Sequence, residues 1–244
     1  MRGVLTVAAA QPVCVPYEVA ANAAAHAATI RSVAARVVVF PELSLTGYEL
    51  DAAAIGADDR RLAPIVEACA ESGSVALVGA PVRDDDGREY LATLAVDGTG
   101  AEIVYRKMWP HPPEPDRFSA GDRPAVLTVD GWRLGLAICR DTGVPRHAAD
   151  TAGLGIDAYL AGALYLPGEE AKRDGRMRDT AIRYRVWSVL ATFAGPTGEF
   201  PETSGGSAVW APDGTLVSQA GPEVGATALA TLRPLSASEL SPSA

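Results

Sequence analysis

Three apolar runs in this 244-residue chain each end on a side chain able to do chemistry. Residues 37–40 lead into Pro41-Glu42, residues 101–105 into Arg106-Lys107, and residues 132–138 into Cys139-Arg140-Asp141. A carboxyl, an ammonium and a thiol together suit nucleophilic catalysis. A free thiol with a pKa near 8.5 is only about 3% thiolate at pH 7, so full ionisation there needs roughly 2 kcal/mol of help. A neighbouring carboxylate can take the proton, and a neighbouring ammonium favours the thiolate. Taken singly, each residue reads as ordinary solvated surface or inert core. Ligand sites of layered α/β proteins gather at strand carboxyl ends, so the three together can converge on one site.

Hydrophobic patterning supplies the elements that must hold them. Residues 4–10 read as a strand and 18–35 as a helix with Val19, Ala23, Ile30 and Val33 on one stripe. Residues 37–40 form a continuous β-branched run of the kind found inside a sheet. A helix over 60–71, stopped by Gly73, precedes a strand over 75–79. Turn-forming Asp-Gly and Pro-Asp-Gly stretches at 84–87, 97–100, 130–131 and 212–214 mark hairpins. They bracket strands over 90–96, 101–105, 125–129, 132–138, 207–210 and 215–219. Helices over 144–153 and 169–188 and strands over 158–161, 190–194 and 227–232 complete the pattern. Early βαβ alternation mixed with hairpins predicts a layered α/β fold with mixed sheets. Residues 1–232 read as a single domain, and the Ser/Pro-rich residues 233–244 as a frayed tail.

A formal charge of −9 argues against a nucleic-acid or anionic-membrane surface, since either would need clustered Lys and Arg. Cys14, Cys69 and Cys139 are odd in number and far apart, so neither a disulfide framework nor a structural metal site is expected. The opening MRGVLTVAAAQPVC is too brief for a signal peptide's apolar region and reads better as the first strand. The Ala-rich run over 18–36 is broken by Asn22, His26 and Arg31, so no membrane span is expected. A reduced, cytoplasmic protein follows from this reading. A loose GxGxxA over 153–158 precedes a strand instead of opening a helix, so it reads as a turn. His147, eight residues beyond Cys139, leaves a Cys/His dyad as a minor alternative, and Cys69 reads as core.

The motifs around the three reactive residues are specific. VVVFPELSLTGYEL, EIVYRKMWP and RLGLAICRDTGVP resemble, in order, the three signatures of the nitrilase superfamily, the carbon–nitrogen hydrolases. The resemblance implies that Glu42 is the catalytic base, that Lys107 is catalytic, and that Cys139 is the nucleophile. EPDRFSAGD resembles the loop carrying a second active-site Glu, which falls on Glu114. GIDAYLAGALY and SGGSAVWAPDGTLV resemble later segments, so the likeness spans residues 4–232. It implies a four-layer-forming α-β-β-α sandwich, a thiol amidase acting on a small-molecule amide without cofactor or metal, and a homodimer or larger homo-oligomer. It also implies that the backbone N–H of Arg140 helps hold the oxyanion. N-carbamoyl hydrolysis, amine-dependent acyl transfer and a catalytically silent binding role stay open.

The departures bear on substrate. Arg140 follows the nucleophile where nitrile-cleaving relatives have Trp-Glu, which speaks against a nitrile. Arg140 reads either as an ion-pair partner of Asp141 or a Glu, or as a guanidinium for a substrate carboxylate, as in ω-amides. Tyr165 and Trp109 are candidates for lining the acyl pocket.

Overall fold

The computed structural model describes residues 3–235. The first half contains β1 (Leu5–Ala10), α1 (Val19–Ser32), β2 (Val37–Val39), α2 (Ala63–Ser72), β3 (Val75–Arg83), β4 (Glu89–Asp97) and β5 (Gly100–Arg106). The second contains β6 (Val126–Val129), β7 (Trp132–Ile138), α3 (Pro145–Gly153), β8 (Ala158–Ala163), α4 (Glu170–Tyr184), β9 (Trp187–Thr192), β10 (Ala208–Trp210), β11 (Leu216–Gln219) and β12 (Thr227–Leu232). They build two six-stranded mixed sheets, ordered β12-β1-β2-β3-β4-β5 and β11-β10-β9-β8-β7-β6. Each has a parallel centre, β1-β2-β3 or β7-β8-β9, flanked by antiparallel strands.

The alternation of side chains along a strand sorts the core into layers. Leu5, Val7, Val37, Val39 and Leu77 face the second sheet and meet Leu134, Leu136, Ile138 and Leu160. Their neighbours Ala8, Val38, Phe40 and Val78 face the other way, onto Ala23, Ile30 and Ile65 of α1 and α2. Tyr159, Ala161 and Leu190 likewise pack on Met177 and Ala181 of α4. The result is an α-β-β-α sandwich, which explains why VVVF is apolar at every position: both faces are covered.

Boundaries differ most from the sequence reading in two places. α4 stops at Tyr184, not at residue 188, and β9 starts correspondingly early, at Trp187. Arg185 turns the chain with φ +53°, and Trp187 and Ser188 join the parallel ladder with Ala158 and Tyr159. No glycine marks this stop. β3 runs on past residue 79 to Arg83, through Pro81. Its ladder with β2 is confined to Val75–Leu77, so no strand on that side needs an N–H from Pro81. Residues 236–244 of the expected tail lie outside the described residues.

Two glycines fit the sheets to the chain that follows β2. A Cβ on Gly79 would lie 2.3 Å from the Leu43 nitrogen, and one on Gly162 would lie 2.6 Å from the Phe40 oxygen and 2.9 Å from the Glu42 nitrogen. One glycine comes from each sheet, so the Pro41-Glu42-Leu43 segment is wedged between them. Gly162 also pairs in register with Ile138, the last residue before Cys139. The two signature segments therefore meet across one strand. On the helix side, His26 of α1 bonds the Ser44 hydroxyl at 2.8 Å and packs on Phe40, which fixes the far end of the same loop.

Candidate active site

Cys139 closes β7 and opens a tight 3-10 turn, Cys139–Gly143, with φ +45°. A left-handed conformation costs a residue bearing a Cβ on the order of 1–3 kcal/mol, so it persists only where its surroundings enforce it. Asp141 enforces it here. Its buried carboxylate accepts from the Ile138 N–H (2.9 Å), the Trp109 N–H (2.9 Å) and the Tyr105 hydroxyl (2.7 Å). Behind Tyr105 the chain of bonds continues to His147 Nε2 (2.8 Å) and from His147 Nδ1 to the Tyr159 hydroxyl (2.9 Å). A carboxylate only accepts, so Tyr105 donates to Asp141. The order then runs Tyr159 to Nδ1 and Nε2–H to Tyr105, which satisfies a neutral imidazole. Burial lowers the His147 pKa and keeps the ring in that state. His147 therefore supports the turn from behind and makes no hydrogen bond to Cys139.

The other reactive groups lie beneath the thiol. Lys107, with no exposed surface, donates to Glu42 Oε1 (2.7 Å) and to both oxygens of Glu114 (2.8 and 2.7 Å). Glu114 also accepts from the Tyr48 hydroxyl (2.6 Å) and the His111 N–H (2.7 Å), so both its oxygens are fully engaged. Glu42 is different: its Oε2 is buried with no hydrogen-bond partner. The three signatures and the EPD loop thus bring Glu42, Lys107, Glu114 and Cys139 into one cluster.

Two carboxyls share one ammonium in a dry site, and the protonation states follow. Burial raises Glu42 to about 7; the Lys107 charge opposes this and the Glu114 charge adds to it. Burial alone would lower Lys107, but the negative charge around it holds it well above the ordinary lysine range. Burial also pushes Cys139 up to about 12, with Glu42 adding and Lys107 opposing. The sequence reading had the ammonium favouring a thiolate. In the folded site desolvation outweighs it, and the resting group is the neutral thiol.

A cavity of about 750 Å³ opens over Cys139. Its walls include Tyr48, Phe200, Tyr165, Arg140 and Arg176. Tyr165 is buried and bonds the Thr142 hydroxyl at 3.1 Å. Arg140 is exposed at the mouth, with one long contact of 3.4 Å to the Pro110 carbonyl and no ion pair among the described residues. Asp141, its suggested partner, is buried and engaged elsewhere. The Trp109 ring is 36% exposed and does not line the cavity; this residue serves the site through its backbone N–H. Tyr48, Phe200 and Arg176 were not singled out from sequence. Tyr48 sits inside the first signature, but nothing in its spacing announces a contact with Glu114.

A model of the carbon-nitrogen hydrolase family matches residues 6–240. This chain belongs to that family. A hydrolase encoded in the pqqF 5′ region of Pseudomonas protegens is 30% identical over 218 residues, covering 84% of this chain and 75% of that one. An (R)-stereoselective amidase of Pseudomonas sp. is 27% identical over 194 residues, covering 76% and 69%. Among solved structures, a variant amidase of the nitrilase superfamily from Nesterenkonia sp. AN1, in complex with butyramide, is 22% identical with TM-score 0.82, covering 93% and 90%. Nit3 of Saccharomyces cerevisiae, a member of branch 10 of that superfamily, is 20% identical with TM-score 0.84, covering 95% and 90%. The chain is thus a hydrolase acting on carbon–nitrogen bonds other than peptide bonds, built on the nitrilase-superfamily sandwich. Among the described residues no helix is long and apolar enough to cross a membrane.

The wedged loop gives a direct test of positioning. Gly162→Ala places a methyl 2.6 Å from the Phe40 oxygen, and backbone must move to admit it. The expected result is a loss of about 1–3 kcal/mol in stability. With Glu42 displaced, kcat is expected to fall on the order of 100-fold. Denaturant melts beside turnover measurements check both.

Proposed function

We propose that this hydrolase is a thiol amidase that cleaves a small-molecule amide through a Cys139 acyl-thioester. The observation that carries the reading is the division of labour within Glu42. Oε1 is anchored on Lys107, while buried Oε2 is free to receive one proton. A carboxyl raised to about 7 accepts and returns a proton at neutral pH with little driving force either way.

The steps follow from that arrangement. Sγ attacks the amide carbon as its proton passes to Glu42 Oε2. The carbonyl oxygen becomes an oxyanion, held by Lys107 and the Arg140 backbone N–H. Two of the three Nζ–H groups serve one carboxylate, so one can turn to the oxyanion while Glu114 keeps the other. Glu42 gives its proton to the departing nitrogen, the C–N bond breaks, and ammonia or an amine leaves. Water then attacks the thioester, losing its proton to Glu42, and the acid departs as Sγ recovers a proton. Glu114 holds Lys107 in place and sits near the substrate nitrogen. A Glu-to-Gln variant of the Nesterenkonia amidase offers a parallel, since its active-site cysteine adds acrylamide and carries the acetamide moiety of fluoroacetamide.

Ammonia release from short aliphatic amides, monoamides of dicarboxylic acids, N-carbamoyl amino acids and nitriles tests the reading. Release from an amide class and none from nitriles is expected. A rate that depends on added amine would replace hydrolysis by acyl transfer, and release only from N-carbamoyl compounds would move the substrate class. The pH profile is a further check. The base works only when ionised, so kcat/KM is expected to rise with pH through about 7. Cys139, held near 12, stays a thiol and contributes no limb below pH 9.

A further inference from the structure

The cavity over Cys139 collects positive charge in a protein whose net charge is −9. Arg140, Lys172 and Arg176 line it against a single carboxylate, Glu169. Glu169 is already engaged, with Lys172 at 2.7 Å and the Leu166 N–H at 3.0 Å. Neither arginine has an ion-pair partner among the described residues. Arg140 is exposed, where water solvates a guanidinium well; Arg176 is half-buried, where an unpaired cation is costly.

Arg176 is also held in one place. Its guanidinium lies flat on Gly143 in the nucleophile turn, where a Cβ would fall 2.5 Å from its Cζ. Nη1 donates to the Tyr165 hydroxyl at 3.3 Å, and Tyr165 is fixed in turn by Thr142. Among the described residues, its Nε and Nη2 have no hydrogen-bond acceptor. Arg173, one turn earlier on α4, shows what a structural arginine looks like: it is 3% exposed and bonds Asp174, Ser204 and Gly205. The two arginines share a helix, but only Arg176 lines the cavity, where its charge acts on Glu169 without an ion pair among the described residues.

We propose that Arg176 is the specificity residue of this cavity, and that the substrates are amides carrying a carboxylate, which docks on its guanidinium. The inference rests on the thiol-amidase reading and names the substrate class within it. A planar fork matches a carboxylate with two parallel bonds, and a pre-seated one loses little entropy on binding. Arg140, on the rim, lends field and speeds approach without gripping the anion. This transfers the carboxylate-binding role considered for Arg140 to a residue 36 positions later.

The test compares succinamate with butyramide, which keeps the amide and the two-methylene arm but ends in a methyl in place of the carboxylate. Wild-type kcat/KM is expected to favour succinamate, with a preference that shrinks as salt is raised. Arg176→Gln is expected to cut that preference about 10- to 100-fold, chiefly through KM, and Arg176→Lys to retain part of it. Arg140→Gln is expected to weaken the salt dependence and leave most of the preference. Equal rates for the two amides, or a preference lost with Arg140→Gln but kept with Arg176→Gln, would overturn the assignment. If neither amide is hydrolysed, the thiol-amidase reading suffers and calorimetry decides the site separately. Cys139→Ala protein should bind succinamate more tightly than butyramide, and equal or absent binding of succinamate rejects the anion site.

Discussion

Cys139→Ala is expected to lower kcat/KM on the order of 10,000-fold or more while leaving the protein folded. The substitution removes one sulfur from a half-buried position and, from the frame around it, only the thiol's long 3.7 Å contact to the Leu164 carbonyl. The turn is held by three hydrogen bonds to Asp141, none of which involves the thiol. Loss of stability should stay within about 1 kcal/mol, as for other changes that break no network. Glu42→Gln is the informative partner. The amide keeps the size of the side chain and an oxygen for Lys107, but it cannot accept the thiol proton. A general base is worth roughly 100- to 10,000-fold, so a large rate loss is expected there too, together with loss of the rise near pH 7. Mass spectrometry of protein quenched during turnover should find the acyl adduct on wild type and none on Cys139→Ala. Full activity in Glu42→Gln with none in Cys139→Ala would keep the nucleophile and move the base elsewhere.

What could be read from sequence follows from where physical constraint is local. Glu42, Lys107 and Cys139 each sit at or just past the carboxyl end of a strand, and a reactive side chain beyond VVVF, EIVY or LGLAI stands out against its apolar run. The sandwich was legible for the same reason, because strands buried on both faces leave continuous β-branched stretches while hairpins leave Asp-Gly turns. The end of α4 was not legible. Arg185 adopts φ +53° without the glycine that usually marks such a stop, and the pull comes from β8, whose residues pair in the ladder with residues 29 positions later. Pro81 hid the second half of β3, since its tolerance depends on the absence of a neighbour that only the sheet order reveals. Arg176 and Tyr48 were hidden differently. One is among several arginines of a charged helix and the other is one aromatic in a loop, and only the tertiary structure separates them from their neighbours. The protonation state of Cys139 depended on burial, which opposes the lysine and cannot be weighed from residue types alone.

Lys107→Met is expected to cost both activity and fold, and its pH dependence separates the two. The ammonium is fully buried and makes three bonds to two carboxyls that are themselves buried. Removing one partner of such a network strands the remaining charges, at about 3–5 kcal/mol. The penalty must depend on pH. Glu42 titrates above its unfolded value near 4.3 even with the lysine present, because burial disfavours its charge, and loss of the ammonium removes what opposes that rise. A raised folded-state pKa contributes stability at low pH and loses it as pH rises through that value. The gap between Lys107→Met and wild type should therefore be small at pH 5 and widen toward pH 8. Denaturant melts across that range read it directly, and a gap of equal size throughout would show that lost packing, not stranded charge, sets the cost. Adding Glu114→Gln removes one of the two carboxylates and should narrow the gap at pH 8. It should not restore turnover, because the donor for the oxyanion is still missing. Stability recovered without activity is what distinguishes a lysine that stabilises negative charge during the reaction from one that merely neutralises it at rest.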